Sequence, residues 1–279
     1  MAFPYRVRST DEVELWLHDL GGSGPPLLLC HANGFCGPVW GPVAETLGRH
    51  YHCLAVDFRA HGRSTRPVGR SLDWHGMADD VLAVVEAISP DGPIPAVGHS
   101  LGGTALALAE VRQPGTLTRA WVYEPILFDE YTGSPRAEPS FMAAGARARR
   151  PVFADRAEVL ARYSARPPFS EVDPRALQAY VDHGFEDLPD GTVGLRCRPE
   201  DEAEVYEHHQ TGARSAIGDI AIPFLVAASE DPAGPGFAVL EASEEFPHLD
   251  LAVYSDLTHL GPLEAPDRIA ADCLAWLGT

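Results

Sequence analysis

Short apolar runs alternate along this chain with segments of helical periodicity, and this alternation limits the fold more than any other feature. The runs have the length and the β-branched and leucine content of buried strands, and they lie at residues 25–32, 52–57, 94–100, 119–124, 222–229 and 249–255. In the segment 72–88, Met77, Val81, Val84 and Ile88 recur at helical spacing. Strands that alternate with helices predict an α/β fold, with a mostly parallel central sheet and helices on both faces.

The two ends and the middle of the chain depart from this alternation. Residues 5–7 and 13–18 predict an antiparallel hairpin at the edge of the sheet, and residues 262–277 predict a closing amphipathic helix. Between residues 129 and 212, strand-like runs almost vanish and prolines separate short helical patterns. We interpret residues 129–212 as a helical cap, and residues 1–128 together with 213–279 as the core that carries the sheet.

The charge balance argues against nucleic acid as a partner. The chain has 21 basic residues, all of them arginine, against 40 acidic residues, which gives a formal net charge of −19. Phosphate backbones are bound by a basic surface, which such a chain is not expected to have. The absence of lysine also excludes Schiff-base chemistry on a lysine side chain.

The cysteine content and the apolar runs predict in which cellular compartment the protein resides. The five cysteines are odd in number and form no C-x-x-C pair, so neither a disulfide framework nor a zinc ribbon is expected. A reducing compartment fits this content best. The N-terminal residues show no apolar leader, and no apolar run reaches the roughly 18 residues of a membrane span. We therefore expect a cytoplasmic protein with no membrane partner.

The pentapeptide GHSLG at residues 98–102 is the sharpest local motif. It lies where a predicted strand ends and a predicted helix begins, which is the context that a G-x-S-x-G nucleophile elbow requires. Such a turn exposes the hydroxyl of Ser100, while the flanking glycines let the strand and the helix pack closely. The new helix directs its free N–H groups and the positive end of its dipole toward the same place.

Three further segments, together with this elbow, resemble the α/β-hydrolase family nearly from end to end. HANGF at residues 31–35 resembles the oxyanion loop of that family, with alanine at a usual glycine position. DFRAHGRS at residues 57–64 resembles a structural turn of the family, and THLGPLEAP at residues 258–266 resembles its closing loop with the catalytic histidine. The resemblance implies an α/β-hydrolase fold whose cap covers the carboxyl edge of the sheet.

The resemblance also implies roles for individual residues. Ser100 would be the nucleophile, and His259 would be the general base that a serine hydroxyl needs. The backbone N–H groups of Leu101 and Asn33 would stabilise the oxyanion that develops during acyl transfer. No metal or organic cofactor is implied.

The sequence leaves the acidic partner of His259 open. The family usually places this acid after the strand at residues 222–229, which makes Asp231 the first candidate and its neighbour Glu230 a minor one. Some members place the acid at the end of the strand at residues 119–124, where Glu124 stands. An acid at either strand end can hold the tautomer of His259 and stabilise the imidazolium.

The leading hypothesis is a serine hydrolase that cleaves a carboxylic ester or lactone of small size through an acyl-enzyme. A C–C bond hydrolase or a perhydrolase, both free of cofactors, would use the same Ser100 and His259. A receptor that binds a small ligand without turnover is a further alternative, although such members usually lose the serine or the histidine. The oligomeric state is not predicted.

Overall fold

The computed structural model describes residues 5–127, 141–208 and 211–278. Its strands, in chain order, are β1 (Arg6–Arg8), β2 (Glu14–Asp19), β3 (Pro26–Cys30), β4 (His52–Asp57), β5 (Ile94–His99), β6 (Leu117–Tyr123), β7 (Val152–Phe153), β8 (Phe185–Asp187), β9 (Val193–Leu195), β10 (Phe224–Ser229) and β11 (Asp250–Tyr254). Eight of these strands form one sheet, in the order β1-β2-β4-β3-β5-β6-β10-β11.

The strand directions confirm the predicted sheet. Strands β3, β4, β5, β6, β10 and β11 are parallel to one another. Strands β1 and β2 form the expected antiparallel hairpin, and β2 joins the sheet antiparallel to β4. The carboxyl ends of the parallel strands therefore meet at one edge, which is where open α/β sheets bind their ligands.

The helices cover both faces of the sheet, as predicted. In chain order they are α1 (Gly41–Leu47), α2 (Trp74–Ile88), α3 (Leu101–Arg112), α4 (Phe141–Arg147), α5 (Arg156–Ser164), α6 (Pro174–His183), α7 (Pro199–Glu207), α8 (Ala213–Gly218), α9 (Gly236–Glu245), α10 (Gly261–Glu264) and α11 (Pro266–Leu277), with single 3-10 turns at Gly37–Trp40 and Phe169–Glu171. Helices α2, α3, α8 and α9 pack in one hydrophobic cluster, whereas α1 and α11 pack in another on the opposite face. Alternate residues of β3 divide between the two clusters, because successive strand side chains point to opposite faces.

The segment between β6 and α8 differs in part from the helical cap that the sequence predicts. It contains helices α4 to α7, but also a small antiparallel sheet in the order β7-β9-β8. These strands have only two or three residues each, which is too short for an alternating pattern to be recognised. We call the described part of this segment, residues 141–208, the cap. The predicted cap boundary at residue 129 lies outside the described residues, and the division into core and cap stays an interpretation.

The cysteines lie in the interior of the fold. All five are free and buried. Among the described helices, none has the length and apolar character needed to cross a membrane.

Candidate active site

The turn between β5 and α3 has the geometry that the GHSLG motif predicts. Ser100 adopts φ 52° and ψ −116°, a backbone conformation that is strained for a residue with a side chain. A Cβ at position 102 would lie 2.3 Å from the carbonyl oxygen of Cys30, and one at position 98 would lie 2.7 Å from the backbone nitrogen of Gly103. Only glycine fits at these two positions, so the helix approaches the sheet closely and Ser100 stands at the tip of the turn.

His259 lies in the loop after β11 and faces the same cavity as Ser100. This cavity has a volume of about 480 Å³. Two contacts fix the loop: His99 Nε2 donates to the carbonyl oxygen of His259 at 2.7 Å, and the Tyr123 hydroxyl donates to that of Thr258 at 2.8 Å. The imidazole rings of His99 and His259 are 5.0 Å apart. The residue before the candidate nucleophile thus anchors the candidate base.

Glu124, at the end of β6, is the carboxylate that contacts His259. Its Oε2 accepts a hydrogen bond from His259 Nδ1 at 2.6 Å, and its Oε1 accepts from the Ser229 backbone N–H at 2.8 Å and from the Ser229 hydroxyl at 2.5 Å. The side chain is fully buried. Because Glu124 holds the proton on Nδ1, the lone pair on Nε2 of His259 is available to accept a proton.

Asp231, our first candidate for this acid, does not have that contact. Asp231 also lines the cavity, but its Oδ1 accepts from the backbone N–H of Ala233 at 3.0 Å in a local turn. Glu230, the minor candidate, is exposed. The loop after β10 packs over Glu124 instead, since Gly236 leaves space where a Cβ would lie 2.8 Å from its Oε1. The preference for Asp231 over Glu124 is therefore not supported by the geometry.

The two predicted oxyanion donors lie on either side of Ser100. Leu101 is the first residue of α3, so its N–H has no acceptor within the helix. Asn33 lines the cavity from the loop after β3. Its side-chain Nδ2 donates to the carbonyl oxygen of Glu202 at 3.1 Å, so the side chain is held by the cap.

Two buried histidines hold the loop that carries Asn33. His31 Nδ1 donates to the Ala32 carbonyl at 2.7 Å, and its Nε2 accepts from the Phe58 N–H at 3.1 Å. His61 Nδ1 donates to the Arg59 carbonyl at 2.9 Å, and its Nε2 accepts from the Gly34 N–H at 3.0 Å.

His61 Nε2 also lies 3.1 Å from Asn33 Oδ1, so His61 contacts the residue that carries the predicted donor as well as its neighbour. The complete burial of both rings favours their neutral forms. Burial lowers the pKa of His31, and it lowers the pKa of His61 to about 3.

The cap supplies the opposite wall of the cavity. This wall contains the arginines Arg149, Arg150 and Arg162 and the aromatic residues Phe153, Tyr163, Phe169, Tyr180 and Tyr206. The sequence indicates that aromatic residues and arginines of the cap, Tyr180 and Arg149 among them, could line a pocket. No local motif marks Glu202 or Ser229, and neither is predicted as a site residue. Groups of three or more potential metal ligands do not occur in the part of the chain that the structure describes.

Comparison with known proteins places these features in a family. The family model described as "Alpha/beta hydrolase family" matches residues 27–272. The (E)-2-((N-methylformamido)methylene)succinate hydrolase of Acinetobacter baylyi is 22% identical over 259 residues, which cover 92% of each chain.

Solved structures share the fold. The crystal structure of E-2-(acetamidomethylene)succinate hydrolase superimposes with a TM-score of 0.83, at 21% identity and 99% coverage of both chains. A thermophilic esterase from Thermogutta terrifontis, solved with malate bound, superimposes with a TM-score of 0.74, at 20% identity over 99% of this chain and 98% of the other.

Proposed function

The chain belongs to the alpha/beta hydrolase family and is a hydrolase, and we propose that it cleaves a small carboxylic ester or lactone with Ser100 as the nucleophile. One observation supports this proposal most strongly. The bond from His259 Nδ1 to Glu124 leaves Nε2 free as a proton acceptor, on a side chain that lines the same cavity as Ser100. A hydroxyl, an imidazole and a buried carboxylate in this relation are what acyl transfer to serine requires.

The proposed reaction has two steps, acylation of Ser100 and hydrolysis of the acyl-enzyme. The Ser100 oxygen forms a bond to the substrate carbonyl carbon while its proton passes to His259 Nε2, and the N–H groups of Leu101 and Asn33 stabilise the oxyanion. As the tetrahedral intermediate collapses, the carbon–oxygen bond to the alcohol breaks and His259 returns the proton to that alcohol. Water then attacks the acyl-enzyme by the same route, and an acid is released.

We also propose that the substrate carries a carboxylate. Of the three arginines at the cavity, Arg149 pairs with Glu202 and Arg150 pairs with Glu158. Arg162 forms no ion pair with any carboxylate of the described residues. The positive charge of Arg162 helps to lower the pKa of Glu158, but its exposed guanidinium lines the cavity without an ion pair among the described residues. Such a guanidinium favours an anionic substrate, even though the chain as a whole is acidic. Two of the similar proteins are named for succinate derivatives, and the similar esterase was solved with malate.

A matched pair of esters tests both proposals, that Ser100 is the nucleophile and that the substrate carries a carboxylate. Monomethyl succinate and dimethyl succinate share an acyl chain and differ in one carboxylate, and their hydrolysis is followed by methanol release. We expect Ser100→Ala to reduce kcat/KM for both esters by roughly 10³-fold or more. Arg162→Gln should lower kcat/KM for the monoester about 10-fold. The same substitution should leave kcat/KM for the diester within about twofold of the wild-type value.

Arg166→Gln is the matched control, because Arg166 is exposed on the same part of the cap and does not line the cavity. Equal loss of monoester activity in both arginine variants would contradict the carboxylate proposal. Retention of ester hydrolysis by Ser100→Ala would contradict the nucleophile. Cleavage of a β-diketone by a protein that hydrolyses neither ester would favour C–C bond hydrolysis instead.

A further inference from the structure

The cap contacts the loop that carries Asn33 at several points, and three of these contacts lie at Asn33 and Gly34. The Tyr180 hydroxyl donates to the carbonyl oxygen of Gly34 at 3.0 Å. Asn33 Nδ2 donates to the carbonyl oxygen of Glu202 at 3.1 Å. The Glu202 carboxylate itself packs against Gly34, where a Cβ would lie 2.9 Å from it. The residues that flank the predicted oxyanion donor are thus fixed from the cap side as well as from the core.

Arg149 extends this contact into a chain of hydrogen bonds. Its Nη2 donates to the Tyr180 hydroxyl at 2.6 Å, and its Nη1 forms the ion pair with Glu202. Because Tyr180 accepts from Arg149, its single proton is directed to Gly34. A donor that is itself polarised by a charged group forms a stronger hydrogen bond.

Burial keeps these groups in the required protonation states. Burial raises the pKa of the Tyr180 phenol, so the phenol remains a donor. Burial opposes the charge of Arg149, but the neighbouring Tyr180 and Glu202 hold its pKa well above the usual value.

Gly34 is held from opposite sides by groups of the core and of the cap. Its N–H donates to His61 of the core, while its carbonyl accepts from Tyr180 of the cap. Its φ of +79° is the left-handed conformation that glycine adopts without strain.

The Gly34 carbonyl shares its peptide plane with the Phe35 N–H, and this N–H donates to the Ala32 carbonyl at 3.2 Å. The Ala32 carbonyl in turn shares its peptide plane with the Asn33 N–H. Through this turn the direction of the Asn33 N–H depends on the contact of Tyr180 with Gly34.

We propose that Tyr180 is a positioning residue for the oxyanion hole, acting with Arg149 on the Asn33–Gly34 backbone, so that the cap contributes to transition-state stabilisation. This inference rests on the proposed function. An oxyanion donor lowers the barrier only when it is fixed before the reaction and aimed at the position of the oxyanion. Loss of the Tyr180 hydroxyl should therefore reduce kcat, while KM should change little.

Tyr180→Phe is the test, and Tyr51→Phe is its matched control. Both side chains are buried, and both hydroxyls donate to a backbone carbonyl, that of Gly34 at 3.0 Å and that of Gly278 at 2.7 Å. Tyr51 does not line the cavity. We expect Tyr180→Phe to lower kcat for dimethyl succinate roughly 10- to 100-fold with KM within about threefold, and Tyr51→Phe to leave both kcat and KM within about threefold of the wild type.

A transition-state analogue provides the second readout. The affinity for a trifluoromethyl ketone, which forms an oxyanion on Ser100, should fall by the same factor as kcat in Tyr180→Phe, while the affinity for the product carboxylate should not. Arg149→Lys replaces the two guanidinium nitrogens that contact Tyr180 and Glu202 by a single nitrogen on a shorter side chain. It should act in the same direction as Tyr180→Phe and serves as the test if Tyr180→Phe is unstable. Equal kcat in the two tyrosine variants, or a loss that lies wholly in KM, would overturn the inference. Absence of Ser100-dependent hydrolysis in the wild type would instead overturn the proposed function.

Discussion

At the scale of single residues, the candidate site depends on which carboxylate meets His259. Glu124 has φ 43°, a strained value for a glutamate, and its Oε1 is occupied by two donors from Ser229. The backbone at Glu124 is strained, and its fully buried carboxylate has three hydrogen-bond donors around it, so the side chain is held in one orientation. That orientation fixes the tautomer of the histidine.

Substitution of Glu124 by glutamine should have a larger effect than the change of one atom suggests. Because Ser229 presents two donors to the Oε1 position, the amide oxygen will take that place and the NH₂ group will face His259 Nδ1. His259 would then carry its proton on Nε2, where it cannot accept one from Ser100. We expect kcat to fall roughly 10³- to 10⁴-fold in Glu124→Gln.

Asp231→Asn is the control for this change, because Asp231 faces the same cavity without contacting His259. Its kcat for dimethyl succinate should stay within about threefold of the wild type. A larger loss in Asp231→Asn than in Glu124→Gln would show that Asp231 serves as the acid during turnover.

The choice between these two acids shows how much of the candidate site can be predicted from the sequence. GHSLG and the closing loop predict Ser100 and His259 from local pattern, and both line one cavity. Glu124 and Asp231 follow adjacent strands of the sheet, β6 and β10, so either could have reached the histidine. Only the path of the loop after β10, which no local motif specifies, separates them.

At the scale of elements, the close contact between β5, α3 and β3 determines where Ser100 lies. Gly102→Ala would place a methyl group 2.3 Å from the Cys30 carbonyl oxygen, against backbone that cannot move independently. We expect a loss of about 3 kcal/mol or more in the free energy of unfolding, measured by chemical denaturation.

Gly145→Ala is the matched helical control. Gly145 lies in α4 with nothing within 4 Å of an added Cβ, so alanine should stabilise the chain by about 0.5–1 kcal/mol. Similar effects of the two substitutions would mean that the close approach at the elbow is not as described.

The strands of the core can be predicted from the sequence, whereas the strands of the cap cannot. Buried parallel strands such as β3 and β10 are continuous apolar runs, which the sequence displays directly. Strand β7 depends on pairing with β9 across some 40 residues of chain. Strands β8 and β9 pair locally, but at three residues each they are too short to show a pattern of their own. The contact of Tyr180 with Gly34 joins residues 146 positions apart, so no spacing rule predicts it.

At the scale of the whole molecule, cap and core share one hydrophobic cluster. Phe153, Val159 and Leu177 of the cap belong to the same buried group as Trp40 and Leu263 of the core. The cap is therefore packed as part of the fold, which is what allows its polar groups to fix a loop of the core.

Buried neutral histidines make the stability of the molecule depend on pH. Burial lowers the pKa of His61 to about 3 in the folded chain, against about 6.5 when unfolded. The stabilisation is complete above pH 6.5 and is lost as the pH falls toward 3, because the unfolded state binds the proton more readily. At pH 5 this histidine alone should lower the free energy of unfolding by about 2 kcal/mol relative to pH 7.

Chemical denaturation at pH 7 and pH 5 measures this contribution. His61→Asn should be less stable than the wild type at pH 7, and the difference should narrow by about 2 kcal/mol at pH 5. His50→Asn, at an exposed histidine, should follow the pH dependence of the wild type. A difference between His61→Asn and the wild type that stays constant with pH would contradict a neutral, buried His61.

The central claim is that Ser100 is a nucleophile activated by the His259–Glu124 pair. Reaction with a fluorophosphonate, followed by peptide mass spectrometry, tests it most directly, because the reagent is captured by an activated serine. We predict one adduct per chain, on the peptide that contains Ser100, formed at least 100-fold more slowly in Glu124→Gln. A folded wild-type protein that remains unlabelled, or an adduct on any other residue, would contradict it.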